Sequence, residues 1–515
     1  SSEDIFSLAF AGAGGGNNGG AASASVNIID QVTRAHIDAN TDINAFNSIS
    51  DTGPSVYVVA ADRTDVFGLG GGLGGGGNIG AGLGADVGLV TKDTRAYIGE
   101  GASVDAENRI VVEAISEEGV LSIAAGIGGG VSTGVAGSGS VYIFDNTTLA
   151  YIAGTASAPG QTHVHTDGSI QVSAVDNTEG LMVAGSIAAA GGNGGGASAA
   201  VPIITKWTEA FIGTTTIDGV TIGSGGFADV ASRAMAGKDL IMAYTGSFDI
   251  QTPVDTGADI GPRFNPQTSV DASLDTITFA IDHGFNDGQK VVYSSGGGTV
   301  IPGLVDGETY YVVKIDNSTL QLAADQQGTL IRSLDVGATG SKHSLKTDAF
   351  DTSSGLPGDV DGDGTSDLPA SITNRLNNNR IAVANQISTS GLAVTALSRD
   401  DYQTFAISVG LSGGVAGSIG ANVNINEVTT LAHIDDGATI NGGDNSAAGT
   451  GQNVLVAAGS DFRHWGLAGG LTLSFGGALV PGADVILYDN TTKAYIGNAT
   501  VTAKGSVNVV ANSKQ

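Results

Sequence analysis

Apolar and polar positions alternate with a period of two along most of the chain. Leu121-Ser122-Ile123-Ala124 runs into Ala125-Gly126-Ile127-Gly128, and Ser138-Gly139-Ser140-Val141-Tyr142-Ile143-Phe144 follows. Alternation of this kind sends successive side chains to opposite faces of an extended backbone and predicts strand after strand. Asp145-Asn146 and Asp489-Asn490 read as short turns between strands. None of these segments carries a helical period, so the expected fold class is all-β.

The strands recur in register with a six-residue signature: Thr, any residue, Ala, an aromatic or His, Ile, then a small residue or Asp. It occurs at Thr33–Asp38, Thr94–Gly99, Thr148–Ala153, Thr208–Gly213, Thr430–Asp435 and Thr492–Gly497. The alanines, Ala35, Ala96, Ala150, Ala210, Ala432 and Ala494, are spaced by 61, 54, 60, 222 and 62 residues. A Gly/Ala-rich alternating stretch precedes each copy. A pair of alternating runs follows, as in Ala102–Ala106 with Arg109–Ala114 and Ala499–Ala503 with Ser506–Ala511. Repeats of about 54–62 residues that are strands throughout predict a parallel β-solenoid, two or three coils per repeat. Stacked silk-like antiparallel sheets and glycine-rich polyproline-II bundles use the same pattern and stay open as alternatives.

The long spacing marks an insertion between Gly213 and Ile381. Within it Thr276–Phe279, Lys290–Tyr293, Thr309–Lys314 and Thr319–Leu322 read as short strands, with turns at Asp282-His283-Gly284, Asp306-Gly307 and Asp316-Asn317. The chain therefore divides into a Gly/Ala-rich β-repeat region over 1–214, a transition over 215–267, an inserted antiparallel β-module over 268–348, a linker over 349–380 and a second β-repeat region over 381–515. Joining the last residues to the first recreates an internal junction. Twenty-one residues follow Ala494 and Ala35 is the thirty-fifth, giving 56, inside the repeat length. That arithmetic predicts that the unit continues into another copy of itself, as a tandem chain or as a stacked subunit.

Composition sharpens this picture. Glycine fills 82 of 515 positions and charged residues only 14%, yet the formal net charge is −30. Gly and Ala on inward positions let sheets approach closely, at an entropic cost of ~0.5–1 kcal/mol per glycine in a strand. The acidic excess repels nucleic acid and anionic membranes. Aromatics at 5% cannot readily build the two girdles of a membrane barrel, and no apolar run of helix-spanning length is present. Cysteine is absent, which rules out disulfides, thiolate zinc sites and a Cys nucleophile, and agrees with a large exported bacterial protein. Ser1-Ser2-Glu3-Asp4 does not read as a secretory signal.

The sharpest chemical motif is Asp359-Val360-Asp361-Gly362-Asp363-Gly364-Thr365-Ser366-Asp367. Alternating aspartates aim carboxylates at one centre and Gly364 permits a tight turn, so Asp359, Asp361, Asp363, Thr365 and Asp367 are the expected calcium ligands. Ala370 stands where a twelve-residue loop would carry its bidentate Glu, so the match is to shorter loops of the dockerin or thrombospondin-repeat kind. His36 and His433 occupy the aromatic slot of the signature and read as packing residues. His163 and His165 face one way on a strand, a metal pair without a visible third ligand. No nucleophile elbow, zinc-protease helix or phosphate loop is present, and no catalytic residue is assigned.

The recurrent Thr-x-Ala-Tyr-Ile-Gly, with Gly/Ala alternation before it and Ala-x-Val-x-Ala after it, resembles repeat regions of giant secreted bacterial surface proteins, the filamentous-haemagglutinin-like and leukotoxin-type adhesins. The likeness covers about residues 1–214 and 381–515. The insert's His283-Gly284-Phe285, Asp287-Gly288 and Thr309–Val313 look like a β-module of similar proteins. The resemblance implies a β-helical stalk at the cell surface and a role in attachment or in an extracellular filament. The expected function is structural rather than enzymatic, a unit that propagates by end-to-end β-stacking with copies of itself. A carbohydrate- or receptor-binding adhesin with the insert as its head is the alternative, and a β-helical polysaccharide-active enzyme comes third.

Overall fold

The computed structural model describes residues 1–44, 54–217, 219–238, 240–251, 263–279, 285, 290–295, 298–316, 318–325, 329–340, 343–346, 381–443 and 445–514. Along the chain, β1 (Ser2–Gly15), β2 (Asn18–Ile37) and β3 (Asp42–Ile43) form a first rung, and β4 (Val56–Gly76), β5 (Ile79–Ile98) and β6 (Ser103–Ala106) a second. β7 (Arg109–Gly130), β8 (Thr133–Ala153) and β9 (Thr162–Thr166) form the third. β10 (Ser169–Ala190) and β11 (Asn193–Gly213) begin the fourth, which β14 (Ala228–Ser232) completes after a small hairpin of β12 (Thr215–Ile217) and β13 (Val220–Ile222). β15 (Ile241–Gln251) then lies on the first sheet, with Ile241 and Ala243 packed against Ala393, Leu455 and Ala457, and Tyr244 against Val175 and Leu397.

The inserted sheet is antiparallel. Its strands are β16 (Arg263–Phe264), β17 (Val270–Asp271), β18 (Thr276–Thr278), β19 (Lys290–Ser294), β20 (Thr309–Lys314), β21 (Thr319–Ala323) and β22 (His343–Lys346), in the order β16-β22-β19-β20-β21-β18-β17. It buries a core of its own, including Phe264, Ile277, Tyr293, Tyr310, Leu320 and Leu345. The Tyr-rich strands supply the large apolar area that the glycine-rich repeats lack.

β23 (Ile381–Ser412) re-enters the stack. Its first part pairs antiparallel with β15, and from Ser390 onward it is a parallel rung strand. β24 (Val415–Ile434) and β25 (Thr439–Ile440) complete the fifth rung. β26 (Gln452–Ser474), β27 (Gly477–Leu479), β28 (Gly482–Ile496) and β29 (Thr500–Val501) make the sixth, and β30 (Val507–Lys514) starts a seventh.

Three parallel sheets result: β1-β4-β7-β10-β23-β26-β30, then β2-β5-β8-β11-β24 with β27 and β28 side by side, then β3-β6-β9-β14-β25-β29. Their registers pair Ala35 with Ala96, Ala96 with Ala150, Ala150 with Ala210, Ala210 with Ala432 and Ala432 with Ala494. Each signature therefore defines one rung. The expectation of two or three coils per repeat is corrected to one. The difference lies in strand length: β7 and β10 each run 22 residues without a break. Asp145-Asn146 and Asp489-Asn490, read as turns, lie inside β8 and β28, where in-register neighbours hold them extended. Isolated hydropathy windows cannot see that support from the rungs above and below.

The interior is layered along the long strands. Where the three sheets meet, the Ala and Ile of every signature pack with Val58 and Ala60, Val112 and Ala114, Val104, Val164 and Val230 in a continuous core. Farther along, the first two sheets face each other alone and enclose Val66, Val90, Tyr142, Phe144, Met182 and Tyr402. At the tip they almost touch. A Cβ built on Gly72 would lie 2.1 Å from the Leu83 carbonyl oxygen, and one on Gly74 would lie 1.7 Å from that of Ala81. Only glycine lets the second rung close this tightly. Gly75, facing outward, has nothing within 4 Å of its Cβ position.

Candidate functional site

The signature residues have separate tasks. Alternation turns Thr, Ala and Ile inward and the intervening aromatic outward. The outward rings stack in one ladder: His36–Tyr97, Tyr97–Tyr151 and Tyr151–Phe211 with centroids 4.8 Å apart, Phe211–His433 at 5.3 Å and His433–Tyr495 at 4.7 Å, all within 9° of parallel. These spacings are the rise of a parallel sheet from strand to strand. His36 and His433 are packing residues in this ladder, as their slot implied. Nε2 of His433 also lies 2.8 Å from the buried Glu209 carboxylate.

The inward threonines face a charged layer that the sequence reading missed. Lys92 and Lys206 stand two residues before their signature threonines and are fully buried. Lys92 pairs with Asp62, with Glu118 at 2.9 Å and with the Glu117 carbonyl at 3.0 Å. Lys206 pairs with Asp176, with Asp400 at 2.9 Å and with the Thr178 hydroxyl at 2.8 Å. Thr178 donates to Glu118 at 2.7 Å and so joins the two clusters. Thr94 and Thr148 donate to Asp62 and Asp176 at 3.0 and 2.9 Å. Four carboxyl groups thus share two ammonium groups. Burial works against ionising any of them. For Glu118, Lys92 and Lys206 outweigh it and hold the carboxyl below its ordinary value. Burial dominates for Asp62, Asp176 and Asp400, and Asp176 is pushed up to about 7. The layer's contacts tie the second, third, fourth and fifth rungs to one another.

On the third sheet, His163 and His165 of β9 meet Asp229 of β14, their ligand atoms all lying within 4.8 Å of one another. The aspartate comes from the next rung, so its arrival depends on the fold and not on local spacing. The expected calcium ligands Asp359, Asp361, Asp363, Thr365 and Asp367 lie outside the described residues, as does His283.

The stack stops on each side at a sheet edge among the described residues. Among the described residues β1 pairs only with β4, β2 only with β5 and β30 only with β26. β30 covers β26 from Val454 to Asp461, and no described strand pairs with β26 on that side from Phe462 to Ser474. Val507 and Val509, which continue the core columns of Val454 and Val456, are 48% and 45% exposed. No helix among the described residues is long and apolar enough to cross a membrane. Comparison of the chain with protein-family models, with curated proteins and with solved structures finds no match.

Proposed function

We propose that this protein is a structural, extracellular β-protein of a bacterial surface, one unit of a filament or adhesin stalk that grows by end-to-end stacking of rungs. The observation that carries the reading is the complementarity of the two open ends. Through the chain of registers, Val507 stands in the column of Val56, Val509 in that of Val58 and Ala511 in that of Ala60. Glu3 stands in the column of Phe462 and Gly15 in that of Ser474. A second copy docked on the β26 edge would therefore lay its β1 along Phe462–Ser474, the part β30 leaves bare. β30 would in turn lie beneath the second copy's β4. The two half-strands together make one full rung. They overlap where Lys514 meets Ser2 in the column of Asp461 and Ser513 meets Ser1 in the column of Ser460, so one of the two short ends peels away.

Three further features support the reading. The half-exposed Val507 and Val509 would be covered by the core of the neighbour, an apolar burial that favours association. The aromatic ladder ends on Tyr495 at one end and on His36 at the other, and a Tyr–His stack is the step already made by His433 and Tyr495. Unpaired strand edges are templates for pairing with another chain. Calcium held by Asp359, Asp361, Asp363, Thr365 and Asp367 would stiffen the insert junction in this reading.

The test is assembly. Negative-stain microscopy and sedimentation velocity of the 50.9 kDa chain are expected to show rods longer than one stack, with a mass that rises with concentration. Val509→Glu, which places a carboxylate in the composite rung while altering a half-exposed side chain of the isolated unit, is expected to abolish the rods. A wild-type chain that stays monodisperse at high concentration and high salt would overturn the reading.

A further inference from the structure

His163, His165 and Asp229 form a cluster with the shape of a metal site. β9 and β14 are parallel neighbours, with Asp229 opposite His163 and Ala231 opposite His165. The intervening Val164 and Val230 point into the core, so the two imidazoles and the carboxylate share the outer face of the sheet. Asp229 Oδ2 lies 3.4 Å from His163 Nδ1 and 3.3 Å from His165 Nε2.

Magnitudes separate two readings of these distances. A good N–H···O bond is ~2.9 Å between heavy atoms, and both separations are long by that measure. Ligand atoms ~2.05 Å from a tetrahedral zinc are ~3.3 Å from each other, which is what the two pairs show. The imidazole planes are 87° apart, so the nitrogens reach the carboxylate from different directions instead of stacking beside it. Two imidazoles and one carboxylate are the donor set of borderline divalent transition ions, whereas calcium and magnesium take oxygen ligands. The side chains are 45%, 39% and 23% exposed, which leaves the remaining coordination positions facing water. Asp105, the register partner of His165 in β6, is an exposed carboxylate on the same face.

We propose that His163, His165 and Asp229 bind a divalent transition-metal ion of the zinc, cobalt and nickel class. The ion would join the third rung to the fourth where the fourth is interrupted by the β12–β13 hairpin. It would tie together positions 165 and 229, and closing a loop of that length restricts the unfolded chain. This assignment is independent of whether units stack.

Titration of the metal-free full chain with zinc chloride is expected to give one equivalent bound at this cluster, and cobalt(II) is expected to show the visible bands of a low-symmetry four- or five-coordinate ion. Zinc should raise the melting temperature of the wild type. His163→Ala/His165→Ala should bind zinc at least ~10-fold more weakly, lose the cobalt bands and lose the thermal shift, and Asp229→Asn should weaken binding by a similar factor. All three positions are partly exposed, so unchanged circular dichroism and metal-free melting will show that the variants fold. A wild-type chain that binds no zinc, or a double-histidine variant that binds it as the wild type does, overturns the assignment. The second result would place the ion on the chain's carboxylates instead.

Discussion

At the scale of single residues, the contrast between neighbouring glycines is the most direct consequence of the packing. Gly74 faces the opposing sheet, and its Cβ would collide with backbone, which cannot swing aside as a side chain can. Gly75 faces open space in the same strand. Gly74→Ala is expected to cost roughly 1–3 kcal/mol by overpacking, whereas Gly75→Ala should lie within about 0.5 kcal/mol of the wild type and can gain from a less flexible unfolded chain. Midpoints of urea unfolding compare the two. Equal effects would mean that the sheets do not approach as closely as described. The run from Gly70 to Gly77 carries almost no alternation of its own, and by sequence it suggested the polyproline-II alternative. Which outward face met solvent and which inward face met a second sheet was not readable, because glycine carries no side chain to declare a partner.

At the scale of elements, the strands hold one another through columns, and the buried carboxyls make that hold depend on pH. Burial raises Asp176 and Glu113 to about 7 and Asp401 to about 6, against ordinary values of 3.8 for Asp and 4.5 for Glu. Between those values and about 7 the folded chain binds more protons than the unfolded chain, so stability falls as pH rises. Their favourable contribution is complete below the ordinary carboxyl range and is lost as pH passes through about 6–7. Glu118, Asp229, Asp271, Asp316 and Asp325 have the opposite sign, but a lowered carboxyl acts below its ordinary value and so outside pH 5 to 8. His464, held below 6.5 by burial, opposes the fall inside that range and is one group against three. The melting temperature is therefore expected to fall from pH 5 to pH 8. Glu113→Gln, whose neighbour Gln171 lies at 3.4 Å, should flatten that fall by raising the melting temperature at pH 8 and leaving it nearly unchanged at pH 5. A profile that rises with pH would contradict the assignment of protons to these sites. The signature threonines recur in every repeat, but nothing in their pattern marks the layer they face as charged. The lysines give no periodic signal, since their column reads Gln31, Lys92, Asn146, Lys206, Val428 and Asn490 and is charged in only two rungs of six.

At the scale of the whole molecule, net charge opposes the proposed stacking while backbone and core favour it. A chain of charge −30 repels its copies. Two columns at the joint would also set like charges side by side, Asp30 next to Asp489 and Arg34 next to Lys493. Exposed charges are screened over ~10 Å at 0.1 M salt and over ~30 Å at 0.01 M. Rod formation is accordingly expected to strengthen as sodium chloride rises from ~0.01 M to ~0.15 M, measured as a lower protein concentration for onset of light scattering. An assembly that dissolves with salt over that range would point to ion pairing between unlike partners instead of rung stacking.

The repeat length, the all-β class, the aromatic slot of the signature and the antiparallel insert could be determined from the sequence alone. In-register parallel stacking forces residues about sixty apart into one column, so each copy of a motif repeats the message of the others and periodicity makes it visible. Contacts across the interior have no such repetition. The closing of Gly72 and Gly74 on the facing strand, the sharing of Lys92 between Asp62 and Glu118, and the meeting of His163 and His165 with Asp229 depend on how far each long strand runs before the coil turns. Only the tertiary structure decided that, because the turns at Gly16-Asn17, Gly77-Asn78, Gly191-Gly192 and Gly413-Gly414 are made of the same glycine that fills the strands on either side, and so do not stand out along the chain.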